Sequence, residues 1–376
     1  MMTANREMTA CHRVVGLFLA GVALLLTACA PIQESVKPKE ARELVYPAPP
    51  DEPRFVYERT IHGSADVVPA GSDSALRLAL TGEGQTTELL TKPYAVAVHR
   101  GRIFVSDSAD RFIKVFDVPE GRYFKVGEDD AEPLLKPLGI DVDGVGNLYV
   151  ADASAKAVKI YTRDGKFLRK ISGAKLFDRL SSVSVDRSGK RLYVVDIGGV
   201  SSEHHRVMVF DVASGNHLFD IGKRGSGEGE LNLPRDVVIG KEGRLYVVDS
   251  GNFRVQVFDA NGKFQKNFGS IGKQTGSFAR PKEIAADTEG NVYVVDSAFG
   301  NFQIFNPEGE LLMFAGERSE SDGPGRYMLP SGIFVDEDGR VYVVDQWYRK
   351  VDVFRPVRMT PDDGFLGMRP KVAAKK

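Results

Sequence analysis

Six short apolar runs recur along the chain at nearly even intervals: IFVSDS from Ile103, LYVADA from Leu148, LYVVDI from Leu192, LYVVDS from Leu245, VYVVDS from Val292 and VYVVDQ from Val341. Their length and their β-branched and aromatic content predict strands. Their lack of alternation predicts strands covered on both faces. The closing aspartates, Asp107, Asp152, Asp196, Asp249, Asp296 and Asp345, are 45, 44, 53, 47 and 49 residues apart. A period in that range marks a repeat architecture.

Each unit reads as four strands. The first follows a proline in most copies and spans 94–98, 138–142, 181–185, 235–239, 282–286 and 331–335. An acidic, glycine-bearing turn such as DTEGN leads into the apolar run. A third strand ends in an aromatic (VKIY, VQVF, FQIF), and a second glycine turn opens a more polar fourth, such as KFQKNFG at 263–269. One such meander has two apolar faces and cannot stand alone; radial stacking of several covers both. The predicted fold is therefore all-β: a six-bladed β-propeller of four-stranded antiparallel blades over residues 54–358. The sixth unit runs out after its third strand, at 351–355. RFVYERTIHG (54–63) reads as the missing fourth, with Tyr57 and Ile61 at the places of Phe264 and Phe268. This N-terminal strand is predicted to complete the last blade and cover an otherwise open edge. SALRLAL (74–80) predicts a short helix. The six aspartates, in equivalent places, are expected to accept N–H groups of the turn that follows.

Outside the repeats the pattern changes. Arg6, His12 and Arg13 precede an apolar run, Val14 to Leu26, that is short for a membrane span and suits a signal peptide over residues 1–28. It ends in Leu26-Thr27-Ala28-Cys29, which resembles a bacterial lipobox. The resemblance implies cleavage before Cys29, lipidation of Cys29 and, with Ala30 next, sorting to the outer membrane. Residues 29–53 hold Pro31, Pro38, Pro47, Pro49, Pro50 and Pro53 among charges and read as a stiff tether. Residues 359–376 read as a polar, loosely ordered tail. Removal of 1–28 leaves a net charge of −2 and one cysteine, which excludes a disulfide scaffold and thiol catalysis. So balanced a charge carries no footprint for nucleic acid.

The stretch GSGEGELNLPRDVVIGKEGRLYVVDSGNFRVQVFDANGKF (225–264) resembles the NHL-repeat family in its Gly-rich loop, its proline, the D-x-x-N-x-R of Asp249, Asn252 and Arg254, and its aromatic-Asp turn. The resemblance extends over about 54–358, and with the lipobox the whole chain is similar to bacterial six-bladed propeller lipoproteins. It implies the fold strongly and a function weakly, because propellers host unrelated activities.

Candidate chemistry is sought where the repeats differ. After the proline, blades four and five carry Arg235-Asp236 and Lys282-Glu283, where other blades have small or apolar residues. By resemblance to lactonase-like propellers, Asp236 and Glu283 would be oxygen ligands for Ca²⁺. The plainer reading is inter-blade ion pairs with Arg235 and Lys282. No histidine is expected at the channel end of a first strand, so the zinc pattern of propeller lyases is missing. His204-His205, in an insertion at 198–206, read as an exposed loop pair. Gln346-Trp347-Tyr348-Arg349-Lys350 holds the sole tryptophan, and Trp347, Tyr348 and Arg349 are residue types enriched at binding hot spots. No G-x-S-x-G elbow occurs. The function expected is a non-catalytic binding module for a protein or small ligand, monomeric, on the periplasmic side of the outer membrane. A Ca²⁺-dependent lactonase or hydrolase is the alternative. RNA binding, which the resemblance to animal NHL proteins allows, is disfavoured by lipobox and charge balance.

Replacing Cys29 by Ala is expected to abolish incorporation of labelled palmitate and release the protein from the membrane pellet into the soluble envelope fraction. Retained label would overturn the lipidation reading.

Overall fold

The computed structural model describes residues 43–69, 80, 87–128, 132–173, 175–199 and 201–367. The signal peptide, Cys29 and the helix expected at 74–80, Leu80 apart, lie outside them. Among the described residues no helix is long and apolar enough to cross a membrane.

Six antiparallel sheets follow one another along the chain. In blade 4 the strands are Pro234–Ile239, Leu245–Asp249, Arg254–Phe258 and Phe264–Phe268, each hydrogen-bonded to the next. Blades 1, 2, 3 and 5 repeat this order. The inner strands are Pro93–His99, Pro137–Val142, Leu180–Val185, Pro234–Ile239, Pro281–Ala286 and Pro330–Val335. The residue opening each inner strand pairs with a closing aspartate: Pro93 with Asp107, Leu180 with Asp196, Pro330 with Asp345. Inner-strand starts and second-to-third loops therefore share one face, the upper face below.

The buried apolar side chains form six clusters, and each draws on two neighbouring blades. In the second strand of blade 6, Val341 and Val343 pack against blade 5, whereas Tyr342 and Val344 pack against blade 1. Alternate side chains point to opposite faces, so a strand between two blades must be apolar at every position. That requirement is what the continuous runs encode. Close packing also fixes the glycine after most outer strands: a Cβ on Gly269, at φ +81°, would lie 2.3 Å from the Phe278 ring.

Blade 6 closes as expected. Its sheet contains Phe55–Ile61 paired with Lys350–Pro356, with Tyr57 opposite Phe354 and Ile61 opposite Val351. A further strand, Val45–Tyr46, pairs with Phe55 and Val56, so residues assigned to the tether join the blade. Fully buried Arg340 ties both chain ends together: its Nε donates to Glu58 at 2.8 Å and its Nη2 to the Asp363 carbonyl at 2.7 Å. Residues 359–367 are accordingly not loose; Leu366 is buried in the cluster between blades 6 and 1.

The six aspartates are wholly buried, and each links two loops. Asp296 accepts the N–H groups of Ala279 and Arg280, before its blade's inner strand, and of Ala298 and Phe299, after its own strand. Asp107 and Asp345 do the same. The structural role holds, with a reach beyond the following turn. Asp296→Ala would leave four N–H groups without their acceptor, and each buried unsatisfied donor costs about 1–3 kcal/mol. The variant is expected to lose at least about 3 kcal/mol in urea unfolding. A loss within about 0.5 kcal/mol, the range of ordinary surface changes, would contradict this role.

Candidate functional site

The six inner strands surround a channel cavity of about 170 Å³. Its wall is mainly Val, Ile and Ala, interrupted by Asp141, Asp236 and Glu283 and, toward one end, by Arg187. These carboxyl groups are built into the ring. Asp236 takes the N–H of Val237 at 2.8 Å and that of Ile284, in the next blade, at 2.9 Å; the Ser182 hydroxyl, in the preceding blade, also donates to it. Asp141 accepts from Val142, Ser184 and Val185. Glu283 accepts from Ile333 at 3.3 Å through Oε2, while its buried Oε1 has no hydrogen-bond partner. Each carboxyl thus accepts a backbone N–H from the inner strand of the following blade. Neither Asp236 with Arg235 nor Glu283 with Lys282 forms the expected inter-blade ion pair; backbone N–H groups take that place.

Burial, which disfavours the charged form, governs the three groups. It pushes Asp236 up to about 7 against its three hydrogen bonds, and Asp141 up to about 6. Glu283 is raised well above the usual range by burial and then by the nearby Asp236 charge. Such a set does not suit Ca²⁺, which needs six to eight oxygen ligands. The oxygens of Asp236 are already taken by donors, and among the described residues no three His, Cys, Asp or Glu side chains converge to hold a metal.

The lower mouth carries groups that the sequence reading missed. His99 ends the inner strand of blade 1, at the end opposite the strand starts, and is buried. Its Nδ1 lies 3.3 Å from Glu337 Oε1, and Arg187 Nη1 lies 3.4 Å from the same oxygen. Arg187 belongs to blade 3 and Glu337 to blade 6, half the ring away. Burial raises the Glu337 pKa, but His99, Arg187 and backbone N–H groups outweigh it and leave it lowered.

At the upper mouth, Tyr94, Arg235, Arg179 and Lys136 line a second cavity of about 230 Å³. The Tyr94 hydroxyl is pushed up by burial and then by the Glu283 charge, which places it near the channel carboxyls. Lys282 is lowered by burial and then by Arg235. The loop 346–349 lies on the same upper face but lines neither cavity. Trp347 is 63% exposed. Its N–H and that of Tyr348 donate to Asp345 Oδ1 at 2.8 and 2.7 Å, and Tyr348 Oη donates to the Ser319 carbonyl. Arg349, at φ 55°, is exposed. His204 is exposed with Nδ1 2.8 Å from Asp178, but its neighbour His205 is buried, its Nδ1 accepting the Leu233 N–H, which corrects the exposed-pair reading.

The channel carboxyls set a sign for stability against pH. A carboxyl raised on folding is fully stabilising below its unfolded value near 4, and that stability is lost as pH rises through the folded value. Groups lowered on folding, such as Asp110, Asp178 and Glu337, act in the acid range instead. Unfolding free energy is therefore expected to fall from about pH 5 to about pH 8. Glu283→Gln keeps an acceptor for the Ile333 N–H and should flatten that slope and exceed wild type in stability at about pH 8. Urea titrations across this range check both; a wild-type curve that rises would contradict the assignment.

Comparison with known proteins agrees with the geometry. The NHL repeat pattern matches residues 231–258. Protein brain tumor of Drosophila melanogaster is 34% identical over 146 residues, covering 37% of this chain and 13% of that protein. NHL repeat-containing protein 3 of Mus musculus is 28% identical over 206 residues, covering 50% of this chain and 57% of that protein. The chain thus spans less than two thirds of either relative. A gluconolactonase of Xanthomonas campestris superposes with a TM-score of 0.55 at 15% identity, covering 80% of this chain and 98% of that one, a likeness of fold alone. Repeat match, sheet order and ring closure together identify the chain as a six-bladed β-propeller that carries an NHL repeat.

Proposed function

We propose that the protein is a non-catalytic binding module, lipid-anchored through Cys29 to the outer membrane, that recognises an envelope protein or ligand with its upper face on the periplasmic side. The observation that carries this reading is Trp347. Two residues after each closing aspartate the other blades have Ala109, Ser154, Gly198, Gly251 and Ala298, all small. Blade 6 alone places a large aromatic there, on backbone pinned by buried Asp345. An exposed tryptophan on rigid backbone presents apolar area at little conformational cost, the property of a binding anchor. Arg349, held two residues further on, supplies a charge beside it. The hydrolase alternative has the weaker footing: both Asp236 oxygens are committed to backbone N–H groups, and Glu283 Oε1 alone does not make a metal site.

The test is capture of partners from envelope extract on wild-type protein and on a Trp347→Ala, Arg349→Ala variant. Both side chains are exposed, so the melting temperature should be unchanged. Loss of hot-spot residues costs about 2 kcal/mol or more, some thirtyfold in Kd, and the wild-type-specific species should disappear. Equal capture by both proteins would overturn the reading.

A further inference from the structure

Several buried cations of this ring find carboxylates. Buried Arg102 reaches Asp117 and Asp164, Lys114 pairs with Asp107, and Arg340 pairs with Glu58. The upper mouth gathers cations that do not. Lys136 and Arg179 immediately precede the inner strands of blades 2 and 3; Arg235 and Lys282 are the second residues of those in blades 4 and 5. Among the described residues none of these four side chains makes an ion pair or a hydrogen bond. The adjacent carboxyls pair with none of the four: Asp236 and Glu283 bind the next blade's backbone, and Glu283 acts on Lys282 through its charge alone.

Lys136, Arg179 and Arg235 face one cavity of about 230 Å³, with Tyr94, Ser154 and Ser181 also in its wall. The Ser181 hydroxyl donates to the Arg235 carbonyl at 2.8 Å, which fixes the backbone from which that guanidinium extends. Half-buried Lys282 next to it suffers burial and the repulsion of Arg235. Like charges gathered in a concave site without a paired carboxylate are costly to the free protein and favourable to an anionic ligand. Arginine forks match carboxylate and phosphate oxygens in a bidentate way, and a lysine adds a point charge. The volume is several times the roughly 30 Å³ of one water, which exceeds the need of a lone halide.

We propose that this cavity is a binding site for a small multivalent oxyanion, phosphate-bearing or polycarboxylate, held by Arg179 and Arg235 with Lys136 as the third cation. The site uses none of residues 346–349, so it stands or falls apart from the Trp347 surface.

The experiment is isothermal titration calorimetry of the full-length protein with pyrophosphate and, separately, with citrate, at ionic strength held constant with NaCl. A saturable one-to-one isotherm is expected for at least one of them; which one binds separates phosphate from carboxylate recognition. Arg235→Gln should weaken that binding by about tenfold or more, the equivalent of one charge-assisted hydrogen bond. Should Arg235→Gln not fold, Lys136→Gln with Arg179→Gln, both at exposed side chains, gives the same test. Trp347→Ala should bind the anion as wild type does. Absence of a saturable isotherm with either anion, or equal affinity in the cation variants, would overturn the proposal.

Discussion

One buried carboxylate, written six times, decides how this chain can fold. At the end of each second strand an aspartate enters the interior and bonds N–H groups of the loop that arrives before the blade's inner strand. In most copies it also holds the turn that follows. Without it, two irregular segments would bring unpaired donors into the packed interior. With it, the loop, the inner strand and the second-to-third turn of each blade are fixed relative to one another. The backbone from which Trp347 is displayed is held for the same reason.

The channel follows a second rule. Where Asp141, Asp236 and Glu283 stand, a carboxyl accepts an N–H from the next blade's inner strand. The inner circle is therefore stitched by polar bonds, while the interfaces outside it are apolar. The lower mouth is crossed by Arg187, Glu337 and His99. The upper mouth has the opposite character: Lys136, Arg179, Arg235 and Lys282 form no ion pair among the described residues, and the variable loop of blade 6 shares the face. The two ends of one repetitive scaffold thus differ in kind, one crossed by an ion-pair cluster and one bearing unpaired cations.

The fold was legible because burial between blades forces an unusual signature, apolar at every position and closed by aspartate, at a period that only a repeat explains. The closing strand was legible too, because Tyr57, Ile61 and Gly63 reproduce the outer-strand pattern. Its extension, Val45–Tyr46, lay hidden among prolines. The site was read less well. Asp141 has a signal, a charge where the other inner strands carry Ala97, Ser184, Val238, Ala285 and Phe334, but it stands alone without the neighbouring cation that drew notice to Asp236. His99 looked like a strand residue before a turn, and nothing local shows that Glu337, more than two hundred residues later, meets it. Net charge misled most plainly: −1 over the chain says nothing of cations gathered at one mouth.

The seam in blade 6 bears on the order of folding. Thr60 hydrogen-bonds Asp352 across 292 residues of sequence. The strand Phe55–Ile61 is among the first parts of the domain to be synthesised, yet its partner, Lys350–Pro356, is among the last. Until then both edges stay open, and open edges invite pairing with other chains. A propeller sewn together in this way cannot become kinetically secure blade by blade. Closure is one late, long-range event, slow for its loop entropy, and a chain caught before it is the form most exposed to aggregation and proteolysis.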